Sequence, residues 1–237
     1  KTRSFIKNIE KILGGKPIHA SFIIPGGVTK SLSKDDVVKI RNLILDFKKL
    51  IIEIANFFND NILKSKIFQD YLNDEAYSLK SYYMSLVGRD NTLTFYDGIV
   101  KIIDPEGREF AIFHPREYIE YIGEHVTNWS YSKFPYLKKI GWHGFRDGYI
   151  VRVGPLARLN IVDKVPTEIA GEMYKVFIEA FGGKPVHNTM AYHWARIIET
   201  VYSIERMEEM VDDPDLTSSD IVNLRGEPRF EGVGFIE

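Results

Sequence analysis

The side chains able to do chemistry are few and scattered. Six histidines are present and no cysteine, which removes disulfides, thiolate metal sites and thiol nucleophiles from this chain. His187 and His193 stand six apart, a spacing that does not put both on one helix face, so they make a poor metal pair. His114, Glu117, Glu120, Glu124 and His125 would form an acidic stripe if their segment were helical. A solvated face explains that stripe better than a carboxylate metal site, because ligands must project inward and Tyr118, Ile119 and Ile122 take the other side. His19 follows an extended apolar run and precedes the Pro25-Gly26-Gly27 turn. It reads either as a buried histidine bonded to backbone or as a site residue at a titrating or redox interface.

Two arginine arrangements stand out. Arg196 and Glu199 lie three apart in the middle of an apolar helical pattern. Exposed, they are a weak i,i+3 pair; buried, each needs a partner and together they mark a polar lining beside a site. Arg152 and Arg158 flank Gly154-Pro155 in "YIVRVGPLARLN", where a β-rich run stops at a turn signal. Either they are solvated rim residues, or the turn is buried and they hold a carboxylate, a phosphate or a neighbouring subunit. No nucleophile with a base, no phosphate-cradling glycine pattern and no catalytic carboxylate pair can be assembled. An unrelated hydrolase therefore has no constellation to rest on.

The elements that must position these residues come from an ordinary globular composition: 237 residues, 44% hydrophobic and 27% charged. A net charge of −2 gives no field to recruit nucleic acid or an anionic membrane. Apolar runs such as "LIIEIANFF" are too short for a bilayer span, and the start has no secretion signal, which points to the cytoplasm. The first residue is Lys1 rather than methionine, so the chain is expected to be processed or excised from something longer.

Phe5, Ile6, Ile9, Ile12 and Leu13 recur at helical spacing up to Gly14-Gly15. Ser33 with Asp36 resembles a capping box and predicts a helix over about 34–58, with Val37, Ile40, Leu43, Ile44, Phe47, Ile51, Ile54 and Ala55 on one face. One or two further helices are expected over 62–83. "TLTFYDGIVKII" and "REFAIF" flank Asp104-Pro105-Glu106-Gly107 as a β-hairpin insert at about 91–113. "HPREYIEYIGEHV" reads as helix and "NWSYSKFPYLKKIGW" as aromatic and irregular. Helices are expected over 166–181 and 189–211, the latter burying Ala191, Trp194, Ile197, Ile198, Val201 and Ile204. The tail "EPRFEGVGFIE" reads as strand. "GGKPIHASF" and "GGKPVHNTM" echo one another, too briefly to establish a duplication. The fold class is α+β, predominantly α, a long-helix bundle with a β-hairpin insert, in a single domain over residues 1–237.

In combination, "GGKPIHASFIIPGGVTK", "EHVTNWSYSKFPYLKKIGW", "YIVRVGPLARLN", "HNTMAYHWARIIETVYSIE" and "EGVGFIE" resemble, in this order, the large subunit of nickel–iron hydrogenases. The type that looks closest is the soluble archaeal and bacterial one that exchanges electrons with a nicotinamide or deazaflavin cofactor. The resemblance runs from about Phe5 to Glu237 and is weakest across 62–113; Ala20 departs from it, standing where the family usually has proline. It implies a bundle of the hydrogenase large-subunit type, an iron–sulfur small subunit for partner, and a parent enzyme that oxidises dihydrogen reversibly at a Ni-Fe centre. That family holds nickel and iron with four thiolates in two C-x-x-C pairs, and soft thiolates suit those metals. With no cysteine, this chain resembles the middle of such a subunit, with no metal, no cofactor and no catalytic residue of its own. By the same carry-over, His19 lies toward the iron–sulfur small subunit, Arg158 braces the buried framework, and Arg196 and Glu199 match an "AR-x-x-E" helix behind the active site. A metal-free hydrogenase-like scaffold or assembly subunit is the alternative the resemblance leaves open. The aromatic stretch 129–142 and "FIIPGG" are expected to be exposed and to favour self-association.

Overall fold

The computed structural model describes residues 2–227 and 229–236. In chain order, α1 (Thr2–Gly14) precedes the short strands β1 (Ile23–Ile24) and β2 (Gly27–Val28), then α2 (Lys34–Phe57) and α3 (Lys66–Asn73). Next come β3 (Tyr82–Val87), β4 (Ile99–Ile103), β5 (Glu109–Phe113), the single turn α4 (Tyr118–Tyr121), β6 (Ile122–Val126) and β7 (Lys133–Leu137). They are followed by β8 (Val151–Arg152), α5 (Pro155–Ile161), α6 (Glu168–Ala180) and α7 (Ala191–Met210). The chain divides into two compact units, residues 1–62 with 200–230, and residues 63–199 with 231–237.

In the first unit, α2 starts where the sequence says it should. The Ser33 hydroxyl accepts from the Asp36 N–H at 3.1 Å and the Asp36 carboxylate accepts from the Ser33 N–H at 3.3 Å, a complete capping box. The two Ser33 hydrogen bonds hold the Asp36 carboxyl below the ordinary carboxylate range. Ile40, Ile44, Phe47, Ile51 and Ala55 form the buried stripe, and Phe5 of α1 stacks on Phe47 with ring centres 5.7 Å apart. Ile54, expected on that face, is turned outward. The Pro25-Gly26-Gly27 turn is shaped by close approach of backbone: a Cβ on Gly27 would lie 2.0 Å from the Ile221 carbonyl oxygen, and one on Gly26 2.4 Å from that of Asn223. Only glycine fits there.

The second unit is built on a four-stranded sheet in the order β5-β4-β3-β8. β3 pairs antiparallel with β4 from Tyr83↔Ile103 to Val87↔Ile99, and parallel with β8 through Tyr82↔Val151 and Tyr83↔Arg152. Met84, Leu86, Val100, Ile102, Phe113 and Leu137 form a shared core, against which Phe235 packs. The helix α5 lies on β3, with Leu156, Ala157 and Leu159 wholly buried.

The mixture of helix and sheet follows the expected class, with corrections to the elements. The 99–113 hairpin is half of the sheet rather than an insert on a helix bundle. Helix expected over 62–83 stops at Asn73, and Tyr82–Val87 is the buried strand β3, whose burial on both faces erases the alternation that marks strands. The expected helix over 114–126 is a 3-10 turn, one turn of α4 and then β6, which pairs with β7 inside the supposedly irregular aromatic stretch. Among the described residues of 227–236 none is in a strand; Pro228 and Glu237 lie outside the described residues.

Ser33→Ala is expected to lower stability by about 1 kcal/mol, whereas Ser33→Asp, which retains a capping oxygen, should leave the urea midpoint nearly unchanged. Equal midpoints for Ser33→Ala and the parent chain would refute the role given to this cap.

Candidate functional site

Charged side chains converge at the end of β8. Gly154 adopts φ +79°, a left-handed turn that only glycine enters freely, and Pro155 then opens α5 at its first position. The Gly-Pro pair is therefore a helix start, not a surface turn. It places Arg158 one turn into α5, facing α7. There the Arg158 Nε donates to Glu199 Oε1 at 2.6 Å and Nη2 to Oε2 at 2.9 Å, with both side chains close to fully enclosed. The sequence offers Arg196 and Glu199 as a pair; the structure gives Glu199 a bidentate clamp from Arg158. Arg196 is exposed, with its guanidinium 5.5 Å from the Tyr192 ring centre. The Arg158 guanidinium also lies 5.1 Å from the Phe95 ring centre, at the edge of a cavity of about 290 Å³ lined by Leu86, Phe95, Arg158, Phe235 and Ile236. The pair thus braces α5 against α7 and sets one wall of a small, mostly apolar space.

Arg152, on the other side of Gly154, organises a second cluster. Its Nε donates to the Ser81 hydroxyl at 2.7 Å, and Nη2 to the Leu79 carbonyl, the Tyr83 hydroxyl and the His187 carbonyl. The Tyr83 hydroxyl lies 2.8 Å from both the Val186 carbonyl oxygen and His187 Nδ1, while His187 Nε2 is 2.9 Å from the Pro105 carbonyl oxygen. That carbonyl requires Nε2 to carry the proton, so neutral His187 presents Nδ1 as an acceptor. Burial pushes the Tyr83 phenol up to about 12, so it stays neutral. Burial, with the positive charge of Arg152 behind it, depresses the His187 pKa, and the Pro105 bond opposes this only in part.

The other expected positions are plain. His19 lies in the first unit, exposed, with its backbone at φ +52°; the reading as a buried, backbone-bonded histidine is overturned. His114 caps a 3-10 turn with Glu117 and belongs to no helical stripe. His193 is exposed, apart in character from the half-buried His187. Among the described residues no group of three or more His, Asp or Glu could hold a metal ion. The aromatic stretch is ordered: Trp142 stacks on His125 and also meets Phe134, Tyr136 and Phe145, while Trp129 and Tyr131 project into solvent. Tyr83 escapes sequence reasoning because it sits in a segment whose pattern reads as helix. Arg152 is visible there, but its partners come from 79–83 and 186–188, which only the sheet topology brings together.

Over 240 residues the chain is 37% identical to an F420-non-reducing hydrogenase iron-sulfur subunit of Archaeoglobus profundus, covering 100% of this chain and 49% of that protein. An F420-non-reducing hydrogenase vhu subunit of Methanocaldococcus jannaschii is 36% identical over 238 residues, 99% of this chain and 54% of its own length. The homologues of this chain are hydrogenase subunits. A crystal structure of an NAD+-reducing [NiFe]-hydrogenase in the H2-reduced state superposes with a TM-score of 0.82 at 30% identity, over 96% of this chain and 49% of that one. No protein-family model matches. The chain spans about half the length of the curated relatives it matches. Among the described residues no helix is long and apolar enough to cross a membrane.

Two measurements test this geometry. Glu199→Gln, which removes the carboxylate that Arg158 clamps, is expected to cost about 3–5 kcal/mol, while the double replacement Arg158→Met with Glu199→Leu should cost much less. Urea unfolding of the two single variants and the double gives the coupling; additive losses would show that the pair does not act as a unit. For His187, the unfolded chain takes up its proton at a higher pH than the folded one. The stabilisation is complete above the ordinary value of 6.5, declines as pH falls through it, and levels off below the folded value. Between about pH 7.5 and about pH 5 the parent chain should therefore lose more stability than His187→Gln. Parallel pH profiles for the two proteins would remove His187 from the acid response.

Proposed function

We propose that this chain is the central part of the large subunit of a nickel–iron hydrogenase. The whole enzyme would oxidise dihydrogen reversibly to protons and electrons, the electrons passing to an iron–sulfur small subunit. The observation that carries the reading is end-to-end similarity to hydrogenase subunits about twice as long, with a backbone that follows a [NiFe]-hydrogenase closely. Residues 1–237 are, on this reading, one continuous part of that subunit, placed in the cytoplasm.

The residues present do not fit a Ni-Fe centre. Soft metals of this kind need thiolates, and the chain has none. On the proposed reading the donors belong to sequence outside 1–237, and what this segment contributes is framework. The Arg158–Glu199 brace holds α5 to α7, Arg196 stands exposed on α7, and exposed His19 faces the small subunit. The absence of thiolates also favours a second reading, a metal-free scaffold or assembly subunit on the same fold. The parent gene on either side of this segment separates them: cysteine pairs on both sides support the first, and an open reading frame confined to these residues supports the second.

Purified in the presence of chelator, the chain alone is expected to carry no stoichiometric nickel by mass spectrometry and to show no hydrogen-dependent reduction of a viologen dye. Nickel retained at one equivalent would sink the framework reading. The exposed Trp129, Tyr131 and Ile23 support self-association of the isolated chain. Light scattering should show species above monomer mass, and a strictly monomeric dispersion contradicts that part.

A further inference from the structure

A cavity of about 520 Å³ is lined by the β4–β5 hairpin, by α4 and by the end of β7, all in the second unit. That volume falls in the range of small-molecule sites, about 300–1,000 Å³. Its floor is core: Ile102 and Leu137 are 0% and 2% exposed, and Ala111 stands opposite Ile102 in register. Phe110 and Tyr121 add aromatic surface. Both rings are braced from behind, Phe110 edge-on to Tyr82 with centres 5.0 Å apart and Tyr121 stacked on Phe113 at 4.1 Å. Just beyond the Ile122↔Leu137 pair, the Lys138 N–H donates to the Tyr121 carbonyl at 2.8 Å. Sheet pairing and ring packing thus set the walls.

The charges around this floor do not balance. Lys138, Lys139 and Glu120 share the lining, two ammoniums against one carboxylate. The Lys138 ammonium donates to the Ile119 carbonyl, and that of Lys139 lies 5.1 Å from the Phe110 ring centre. Both are held in position by neutral groups, and an ammonium carries more donors than one carbonyl uses. Among the described residues neither has a carboxylate within 4 Å, Glu120 included. Neighbouring lysines differ: Lys133 of β7 donates to Glu124 at 2.8 Å, and Lys101 of β4 lies 3.7 Å from Glu109. An apolar floor under a positive rim suits a molecule with an apolar body and one acid group. The body leaves water, and the acid meets charges already in place. An ammonium is a point charge without the fork of a guanidinium, so it reads charge more than the shape of the acid.

We propose that this cavity binds a small amphipathic anion, an aromatic body bearing one carboxylate or one phosphate. The body lies on Ile102, Ala111 and Leu137, and the acid group takes Lys138 and Lys139 as its donors. Glu120 opposes the anion and limits its affinity. The site stands whether or not the hydrogenase reading does.

The test uses the whole chain labelled with carbon-13 at its alanine methyl groups. The Ala111 methyl resonance is followed while 1-naphthoate or 1-naphthyl phosphate is added at ionic strength held constant with sodium chloride. A saturable shift is expected with at least one of them, and the tighter probe identifies the acid group. 1-Naphthamide, the same body without the charge, is expected to bind about tenfold more weakly than 1-naphthoate, and acetate, the charge without the body, should not saturate. Lys139→Gln, a change at an exposed position, should weaken the tighter probe about fivefold, the scale of one charge at the surface. Glu120→Gln should tighten it by a similar factor, and Lys133→Gln, at the other end of β7, should leave it unchanged. Without a saturable Ala111 shift from either anion the proposal falls. It also falls if the amide or acetate binds as tightly as 1-naphthoate, if Lys139→Gln changes nothing or no more than Lys133→Gln does, or if Glu120→Gln fails to tighten binding.

Discussion

A bidentate ion pair closed off from water, Arg158 with Glu199, is the constraint around which the second unit is arranged. Charges that leave water together must meet in good geometry, or the enclosure costs more than the attraction returns. That requirement fixes the rotation of α5, because only one face of a seven-residue helix can present Arg158 to α7. Once α5 is so turned, Leu156, Ala157 and Leu159 fall against β3 and its surroundings with no exposure left. Asn160 closes the arrangement by exchanging hydrogen bonds with the main chain at Val186, at 3.0 and 2.7 Å. A short helix that could not persist alone is thereby held by the Glu199 carboxylate, by the apolar side chains at β3 and by the main chain at Val186.

The left-handed Gly154 makes this possible. It turns the chain sharply enough that Arg152 and Arg158, close neighbours in sequence, point into different clusters. One sits among hydroxyls and carbonyls, the other against a carboxylate. The difference explains why similar side chains in one motif behave differently: the Arg158 charge meets a carboxylate inside the fold, and among the described residues that of Arg152 is met by dipoles and aromatic faces.

Much of the first unit is legible in the sequence because its signals are local. Ser33 and Asp36 sit three apart and cap a helix whose apolar spacing repeats along its length. The sheet is harder to read. β3 has the sequence "YYMSLV" and is buried almost throughout, so no alternation distinguishes it from an enclosed helix turn. In "HPREYIEYIGEHV" the charges recur at near-helical intervals, yet Pro115 and Gly123 permit only one turn before the chain extends into β6. The candidate site is half visible. Arg158 and Glu199 each stand out in the sequence, but their pairing joins residues 41 apart and depends on how α5 packs. Arg196, nearer to Glu199 in sequence, is the natural partner on paper.

The contact of Gly26 and Gly27 with the main chain at 221–223 carries a consequence for how this protein can diverge. Val28 N–H bonds to the Ile221 carbonyl at 2.9 Å and Asn223 N–H to that of Gly26 at 2.8 Å, so two stretches almost the whole chain apart are registered residue to residue. An insertion or deletion inside either stretch would shift that alignment. Length variation among descendants should therefore gather in the loops between strands of the other unit, and leave these two short segments constant in number even where their side chains drift.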